Sequence, residues 1–214
     1  MKDTTVNKIT SFIRREIMYG RLKGGDHITE TKVAKSFKIS RVPVREAFRI
    51  LHSEGYLEMI PNRGSFVRRI SADYMTEIYK VYIFIAPELL RDAVPRYKKG
   101  DFKKINTVIS RIEKCKDFNK IGYLLWDFAL AIYGPSENKF MLCVMNEIYK
   151  HNIRILNDLF ELKQKKHYDL TAHKQFLELS LQQKTDEAVK VWCEHIKRLA
   201  VNFPELNLRR IKNS

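Results

Sequence analysis

Regularly spaced arginines are the residues of this chain best suited to bind phosphates or base edges. Arg41, Arg45 and Arg49 recur every fourth residue, so they fall on one face of a helix. Apolar residues occupy the opposite face: Val44, Ala47, Phe48 and Leu51. A guanidinium offers N–H donors in a planar fork that fits phosphates and base edges. The spacing therefore predicts a helix with one face in a core and the other free to bind nucleic acid.

Local signals around these arginines define two short helices. Ser40 stands at the N-cap position, and Pro43 lies in the first turn, where its missing N–H would be unpaired in any case. A shorter helix is predicted for residues 30–37, and residues 38–40 join the two. Two short helices linked by a tight turn, with arginines at the start of the second, form a helix-turn-helix arrangement.

A β-hairpin with a basic tip is predicted after the second helix. Residues 57–60 and 65–68 form short alternating segments around a Pro-Asn-Arg-Gly turn. Before the two helices, residues 4–19 have helical spacing, and residues 22–28 predict a turn and a short strand that pairs with the hairpin. These elements together predict a winged helix, with Arg63 and Gly64 at the wing tip.

Three motifs give this region a specific pattern: the run SRVPVREAF from Ser40, the segment EGYL from Glu54 and the wing PNRGSFV from Pro61. Through them, residues 10–70 resemble the GntR-type winged helix-turn-helix. The resemblance implies that the second helix enters the major groove of DNA and that the wing reaches toward the adjacent minor groove. The DNA contacts it implies are Lys32 (to phosphate only), Ser40, Arg41, Pro43, Arg45, Arg49, Arg63 and Gly64.

Only helical periodicity is found from residue 74 to about residue 202, where six helices are predicted. With the segment WDFAL from Trp126, Ala172-His173 and Glu194-His195, this region resembles the FCD type of effector domain in the FadR branch of the GntR family. The predicted fold class is mainly α. A winged helix-turn-helix with a small β-wing occupies residues 1–70, a linker residues 71–73, and an all-helical effector and dimerisation bundle residues 74–214.

The FCD resemblance implies a small organic acid bound in the bundle, often on a divalent metal held by an Asp-x-x-x-His pair and two later histidines. Only His173 and His195 match directly, because Tyr123 stands at the Asp position and Asp127 at the first His position. A site for Zn²⁺, Ni²⁺ or Mn²⁺ made of Asp127, His173 and His195 is one interpretation. Two ordinary hydrogen-bonded histidines are the other.

Tyr82 and Tyr123 are the predicted effector-pocket residues. The family tends to have an arginine, with a glutamate four residues later, where this chain has Tyr82 and Ala86. Loss of the arginine removes an obvious clamp for a carboxylate. Two alternatives therefore stay open: an effector other than a simple carboxylic acid, and a domain that works without metal or ligand.

Charge and composition favour a polyanion partner. The formal net charge is +15; residues 1–70 contain 15 Lys+Arg and 7 Asp+Glu, a balance of +8, and the other 144 residues hold +7. Such a basic first third suits nucleic acid.

The 3 cysteines form no CxxC motif, and no run of 18 apolar residues occurs, so a cytoplasmic protein without a membrane span is expected. Without a P-loop, GxSxG or catalytic Cys-His pattern, no enzymatic activity is expected.

The favoured function is a homodimeric, sequence-specific transcriptional regulator, most simply a repressor. It would bind an inverted-repeat operator in double-stranded DNA and respond to a small-molecule effector. Two alternatives remain. One is a nonspecific nucleic-acid-binding protein, whose arginines meet only phosphates, and the other is a metabolite- or metal-binding protein with an incidental basic module.

Overall fold

The arginine-bearing helix belongs to the first of two compact units, Met1–Ile70 and Ser71–Ser214. The structure is a computed structural model that describes residues 4–163 and 168–200, without the side chains of residues 72, 118, 119 and 154–163. The first unit contains α1 (Thr5–Met18), β1 (His27–Ile28), α2 (Glu30–Phe37), α3 (Arg41–Ser53), β2 (Leu57–Ile60) and β3 (Gly64–Val67). The helix-turn-helix and its wing are thus confirmed.

Apolar periodicity determines how α1 and α3 pack. Ile9, Ile13 and Ile17 of α1 are buried, and α1 contacts α3. The four apolar residues predicted for the inner face of α3 are also buried: Val44, Ala47, Phe48 and Leu51. Full burial of a valine, leucine or phenylalanine side chain contributes about 1.5–3 kcal/mol, and that of the smaller Ala47 contributes less. This packing fixes the rotation of α3 about its axis and leaves its polar face outward.

The three strands form one antiparallel sheet in the order β1, β3, β2. His27 pairs with Phe66, and Leu57 and Ile60 pair with Val67 and Gly64. The predicted pairing of the early strand with the wing is confirmed. Gly64, the last residue of the predicted turn, is the first residue of β3 and has φ +97°. A Cβ placed there would lie 2.8 Å from His27 Nε2, so both the backbone and the neighbouring ring favour glycine.

The second unit is helical throughout its described part. Its elements are α4 (Ala72–Ala93), a 3-10 turn (Val94–Arg96), α5 (Lys99–Glu113), α6 (Phe118–Tyr133), α7 (Lys139–Lys163), α8 (Thr171–Leu181) and α9 (Thr185–Ala200). Helix α4 contacts α6, α7 and α9, while α5 packs on α6 and α8 on α9. The mainly α fold class is therefore confirmed.

The limits of two predicted segments need correction. Ser71 caps α4 by accepting the Tyr74 N–H, so residues 72 and 73 of the expected linker form the first helical turn. The periodicity predicts residues 74–96 for the first bundle helix, but the α-helix ends at Ala93 and Val94–Arg96 form a 3-10 turn. Pro95 in this turn has no N–H to donate to the carbonyl four residues earlier. Parts of the predicted bundle, residues 164–167 and 201–214, lie outside the described residues.

No helix in the described part of the chain is long and apolar enough to cross a membrane.

Two histidines lie inside the bundle, where imidazoles are kept neutral. His173 of α8 is almost fully buried, and its ring centroid lies 4.7 Å from that of Phe128 and 5.0 Å from that of Trp192. Burial lowers the pKa of His173 well below its ordinary value, and the nearby His195 adds to this effect. Burial, with repulsion from Arg198, lowers the pKa of His195 to about 4. Charging either ring is therefore unfavourable in the folded state.

Replacement of Gly64 by valine should destabilise the wing. The strained backbone and the close approach to His27 predict a loss of about 1–3 kcal/mol in the free energy of unfolding. Urea unfolding measures this loss. The matched control is Gly100→Val, because a Cβ at Gly100 meets nothing within 4 Å. Equal stability of the Gly64→Val and Gly100→Val proteins would contradict the assigned role of the positive φ.

Acid should destabilise the bundle between pH 6.5 and about pH 4. In this window the unfolded state binds more protons than the folded state at His195, because the folded pKa is the lower one. Stability therefore falls as the pH falls, by at most about 1.4 kcal/mol per pH unit for each buried histidine. Thermal unfolding across this pH range measures the slope. His195→Gln should flatten it, whereas His52→Gln, at an exposed position, should not.

Candidate functional site

The N-terminal end of α3 presents arginines to solvent. Ser40 stands before the helix in an extended conformation, as expected of an N-cap residue, although its side chain makes no capping hydrogen bond. Arg41, Arg45 and Arg49 are exposed, as the spacing predicts for the face opposite the core. The side chains of Arg41 and Arg45 are 59% and 54% exposed, so both guanidinium groups are accessible.

Glu30, at the first position of α2, connects the two arginines. Its Oε1 accepts a hydrogen bond of 3.1 Å from Arg45 Nε, and its Oε2 accepts one of 3.2 Å from Arg45 Nη2. The same Oε2 accepts a third, of 3.2 Å, from Arg41 Nη2. The Arg45 hydrogen bond is the main cause that lowers the pKa of Glu30, with a further contribution from Arg41. The carboxylate is therefore held ionised between two cations.

Sequence reasoning missed this role of Glu30. The residue precedes Arg41 by 11 positions and Arg45 by 15, and it lies on a different helix. No helical periodicity relates such positions. One signal was available: Thr29 caps α2 through the Lys32 N–H, and an acidic residue in the first turn is favoured by the helix dipole. That signal explains a glutamate there but does not reveal its partners.

The other predicted DNA contacts lie around this cluster or on the wing. Lys32 is exposed in the first turn of α2, and Pro43 is half-buried in the first turn of α3. Arg63 is exposed in the turn between β2 and β3, with its guanidinium carbon 5.9 Å from the centre of the Phe66 ring. Together with Gly64 at the start of β3, these residues give the first unit two cationic parts. One is the start of α3 and the other is the wing turn.

The predicted metal site is not assembled. Asp127 of α6 faces α5, where its Oδ2 accepts a hydrogen bond of 2.9 Å from Arg111 Nη1. His173 and His195 do meet, with ring centroids 5.0 Å apart. Within the residues that the structure describes, no group of three or more His, Cys, Asp or Glu side chains is arranged to hold a metal ion. Asp127 therefore acts as an ion-pair partner, and the described residues do not fit the metal site of the family.

Tyrosine hydroxyls form a polar network inside the bundle. Tyr82 lies in the core, with its hydroxyl 2.5 Å from that of Tyr149 and 3.3 Å from that of Tyr133. Trp192 Nε1 donates to the Tyr133 hydroxyl at 2.7 Å. Burial raises the pKa of all three phenols well above the ordinary value. The position predicted to line the pocket, Tyr82, is thus part of a neutral hydrogen-bonded core.

Tyr123 has a different position. It is half-buried on α6, and its ring stacks on Trp126 at a centroid distance of 6.2 Å. Within the described part of the bundle, Trp126 Nε1 and His173 Nδ1 are buried without a hydrogen-bond partner. Unpaired buried polar atoms are uncommon in folded proteins. The interior therefore combines satisfied phenols with polar atoms that could still accept or donate a hydrogen bond.

Comparison with known families gives two matches in the same order as the two units. The model of the bacterial regulatory proteins of the gntR family matches residues 5–67. The FCD domain model matches residues 77–198, which is more than half of the chain. The first match includes α1, α2, α3 and the wing, and the second includes most of the helical bundle.

Individual relatives agree with these matches. The chain is 27% identical over 201 residues to YdhC, an HTH-type transcriptional regulator of Bacillus subtilis. The aligned region covers 87% of this chain and 88% of YdhC. It is 26% identical over 152 residues to the gluconate operon transcriptional repressor of Bacillus subtilis, spanning 69% of this chain and 61% of the repressor.

A solved structure shows the same fold. The crystal structure of a GntR regulator from Rhodococcus sp. RHA1 superposes with a TM-score of 0.83, covering 94% of this chain and 97% of that one, at 16% identity. The arginine face of α3, the glycine-dependent wing, the helical second unit and the two matched domains lead to one conclusion. The chain belongs to the GntR family of bacterial transcriptional regulators, with a winged helix-turn-helix DNA-binding domain and an FCD effector domain.

Proposed function

We propose that this regulator is a homodimeric repressor that binds an inverted-repeat operator through α3 and the wing. The observation that supports it best is the exposed arginine face at the start of α3. Arginine in this position suits bidentate contact with guanine in the major groove. The relative that represses a gluconate operon supports repression as the mode of action.

Different residues of the first unit would recognise bases and contact the DNA backbone. Arg41 and Arg45 project from the end of α3 that enters the groove in helix-turn-helix proteins. Lys32 is assigned to the phosphate backbone and Arg63 to the wing contact, and such contacts position the protein without distinguishing base pairs. Arg49 lies two turns after Arg41 on the same face. Sequence discrimination is therefore assigned to Arg41 and Arg45.

Loss of either arginine should weaken operator binding without unfolding the protein. Because both side chains are exposed, Arg41→Ala and Arg45→Ala should each cost about 1–3 kcal/mol of specific binding. The measurement is fluorescence anisotropy with a duplex selected by the wild-type protein from random sequences, against a shuffled duplex. Arg111→Ala is the matched control, because Arg111 is also an exposed, ion-paired arginine but belongs to the second unit.

Three results of that experiment would contradict the proposal. Unchanged operator affinity in both variants would contradict the assignment of sequence discrimination to Arg41 and Arg45. Equal affinity of the wild-type protein for the selected and shuffled duplexes would favour a nonspecific nucleic-acid-binding protein. Absence of DNA binding at moderate salt would favour a metabolite-binding protein with an incidental basic module.

A stripe of exposed apolar side chains on α4, interspersed with Glu77 and Glu88, is suited to join two copies of the chain. Tyr74, Val81 and Phe84 are exposed on one face of this helix, and Phe84 is 81% exposed. Phe140, on the adjoining α7, is 79% exposed. Large contiguous apolar patches are uncommon on the free surface of a monomer, and aromatic side chains are frequent at interfaces. An inverted repeat also requires two α3 helices related by a two-fold axis, which a self-complementary contact provides.

A carboxylate in place of Phe84 should weaken dimerisation. Phe84→Glu would place a carboxylate in the apolar interface, and the dimer dissociation constant should rise at least about thirtyfold, which is ~2 kcal/mol. Analytical ultracentrifugation over a concentration series measures the change. Leu181→Glu, at an exposed apolar position on α8, is the control. If Phe84→Glu dimerised like the wild type while Leu181→Glu dissociated, the interface would lie elsewhere.

The effector would be recognised mainly by uncharged groups. No Lys or Arg is buried within the described part of the chain, and the polar side-chain atoms of the described bundle interior belong to tyrosine, tryptophan, asparagine, serine and histidine. Hydroxyl, indole and neutral imidazole groups supply hydrogen-bond donors and acceptors but no positive charge to pair with a carboxylate. An effector other than a simple carboxylic acid is therefore favoured.

A further inference from the structure

The geometry at Glu30 restricts how Arg45 can approach DNA. The carboxylate engages the edge of the guanidinium formed by Nε and Nη2. A guanidinium has five N–H donors in a fixed plane, so the Nη1 hydrogens and the second Nη2 hydrogen lie on the edge away from Glu30. That outer edge is the one that can pair with O6 and N7 of a guanine. Glu30 therefore orients Arg45 without using the atoms needed for base recognition.

The same carboxylate changes the electrostatics of the recognition face. Glu30 is ionised and hydrogen-bonded to both Arg41 and Arg45, so the three side chains together have a net charge of +1 instead of +2. A phosphate that binds either arginine approaches a carboxylate of its own sign, and like charges at close range repel. A base edge has only partial negative charge on its acceptor atoms, so the repulsion it meets is weaker. Phosphate-only binding is therefore weakened more than base recognition.

We propose that Glu30 is a positioning residue that sets the sequence specificity of this regulator. It holds Arg41 and Arg45 in the orientation that contacts bases and opposes their binding to phosphate alone. Its side chain is 23% exposed, so it lies close to the surface that meets DNA and is not a core residue. This inference rests on the proposed operator binding.

The test compares three variants of the full-length protein. Glu30→Gln keeps the size of the side chain but removes its charge. Glu30→Asp keeps the charge but is one methylene shorter, so it cannot hold both arginines as Glu30 does. Glu16→Gln is the matched control, because Glu16 accepts two hydrogen bonds of 2.7 Å from Arg21 and its replacement changes the net charge equally at an ion pair that does not include α3.

The probes are a duplex selected by the wild-type protein from random sequences and a shuffled duplex of equal composition. Affinities are measured from about 50 mM to about 200 mM salt, the range in which phosphate contacts lose most of their strength. For Glu30→Gln the ratio of selected to shuffled affinity should fall about tenfold or more. Binding to the shuffled duplex should strengthen, with a salt dependence steeper by about one counterion. Glu30→Asp should also lose discrimination, whereas Glu16→Gln should keep the wild-type ratio.

Three outcomes would overturn the inference while leaving operator binding intact. The first is an unchanged ratio in Glu30→Gln. The second is a parallel fall of both affinities with a lowered melting temperature, which would show a purely structural role. The third is a wild-type ratio in Glu30→Asp, which would show that charge alone suffices. Failure of the wild-type protein itself to discriminate between the duplexes would instead contradict the proposed function.

Discussion

Burial of the apolar face of α3 against α1 is the constraint on which the DNA-binding unit depends. Val44, Ala47, Phe48 and Leu51 are almost completely withdrawn from solvent, and each contributes on the scale of 1 kcal/mol or more, about as much as a hydrogen bond. Because side chains on a helix have fixed angular positions, burying these four residues determines where Arg41, Arg45 and Arg49 point. The functional face is thus a direct consequence of core packing.

On its own, the arginine face would bind any polyanion. The packing of α2 on α3 adds a second constraint. This contact brings Glu30 to the two arginines. Ion pairs at exposed positions contribute little to stability, so the value of this arrangement lies in orientation and in the local charge. A cationic surface can in this way favour base edges over phosphates, although its net charge is positive.

The described interior of the bundle follows a different principle, because its buried polar groups are neutral. Tyrosine hydroxyls satisfy one another across α4, α6 and α7, and burial keeps His173 and His195 uncharged at neutral pH. An interior of this kind avoids the large cost of burying unpaired charges. Asp127 pairs instead with Arg111 of α5, and within the described residues no group of three possible metal ligands forms around the two imidazoles.

The sequence by itself determined the order of the elements, the wing glycine and the outward face of α3, because helical and strand periodicities, caps and turns are properties of neighbouring residues. The limits of α2, β2 and the inner face of α3 agreed with the structure for this reason. Tertiary structure alone decided which distant side chains meet: Glu30 with Arg45, Asp127 with Arg111, and Tyr82 with Tyr149. Such contacts depend on how helices rotate and cross when their apolar faces pack, and no local spacing encodes that geometry.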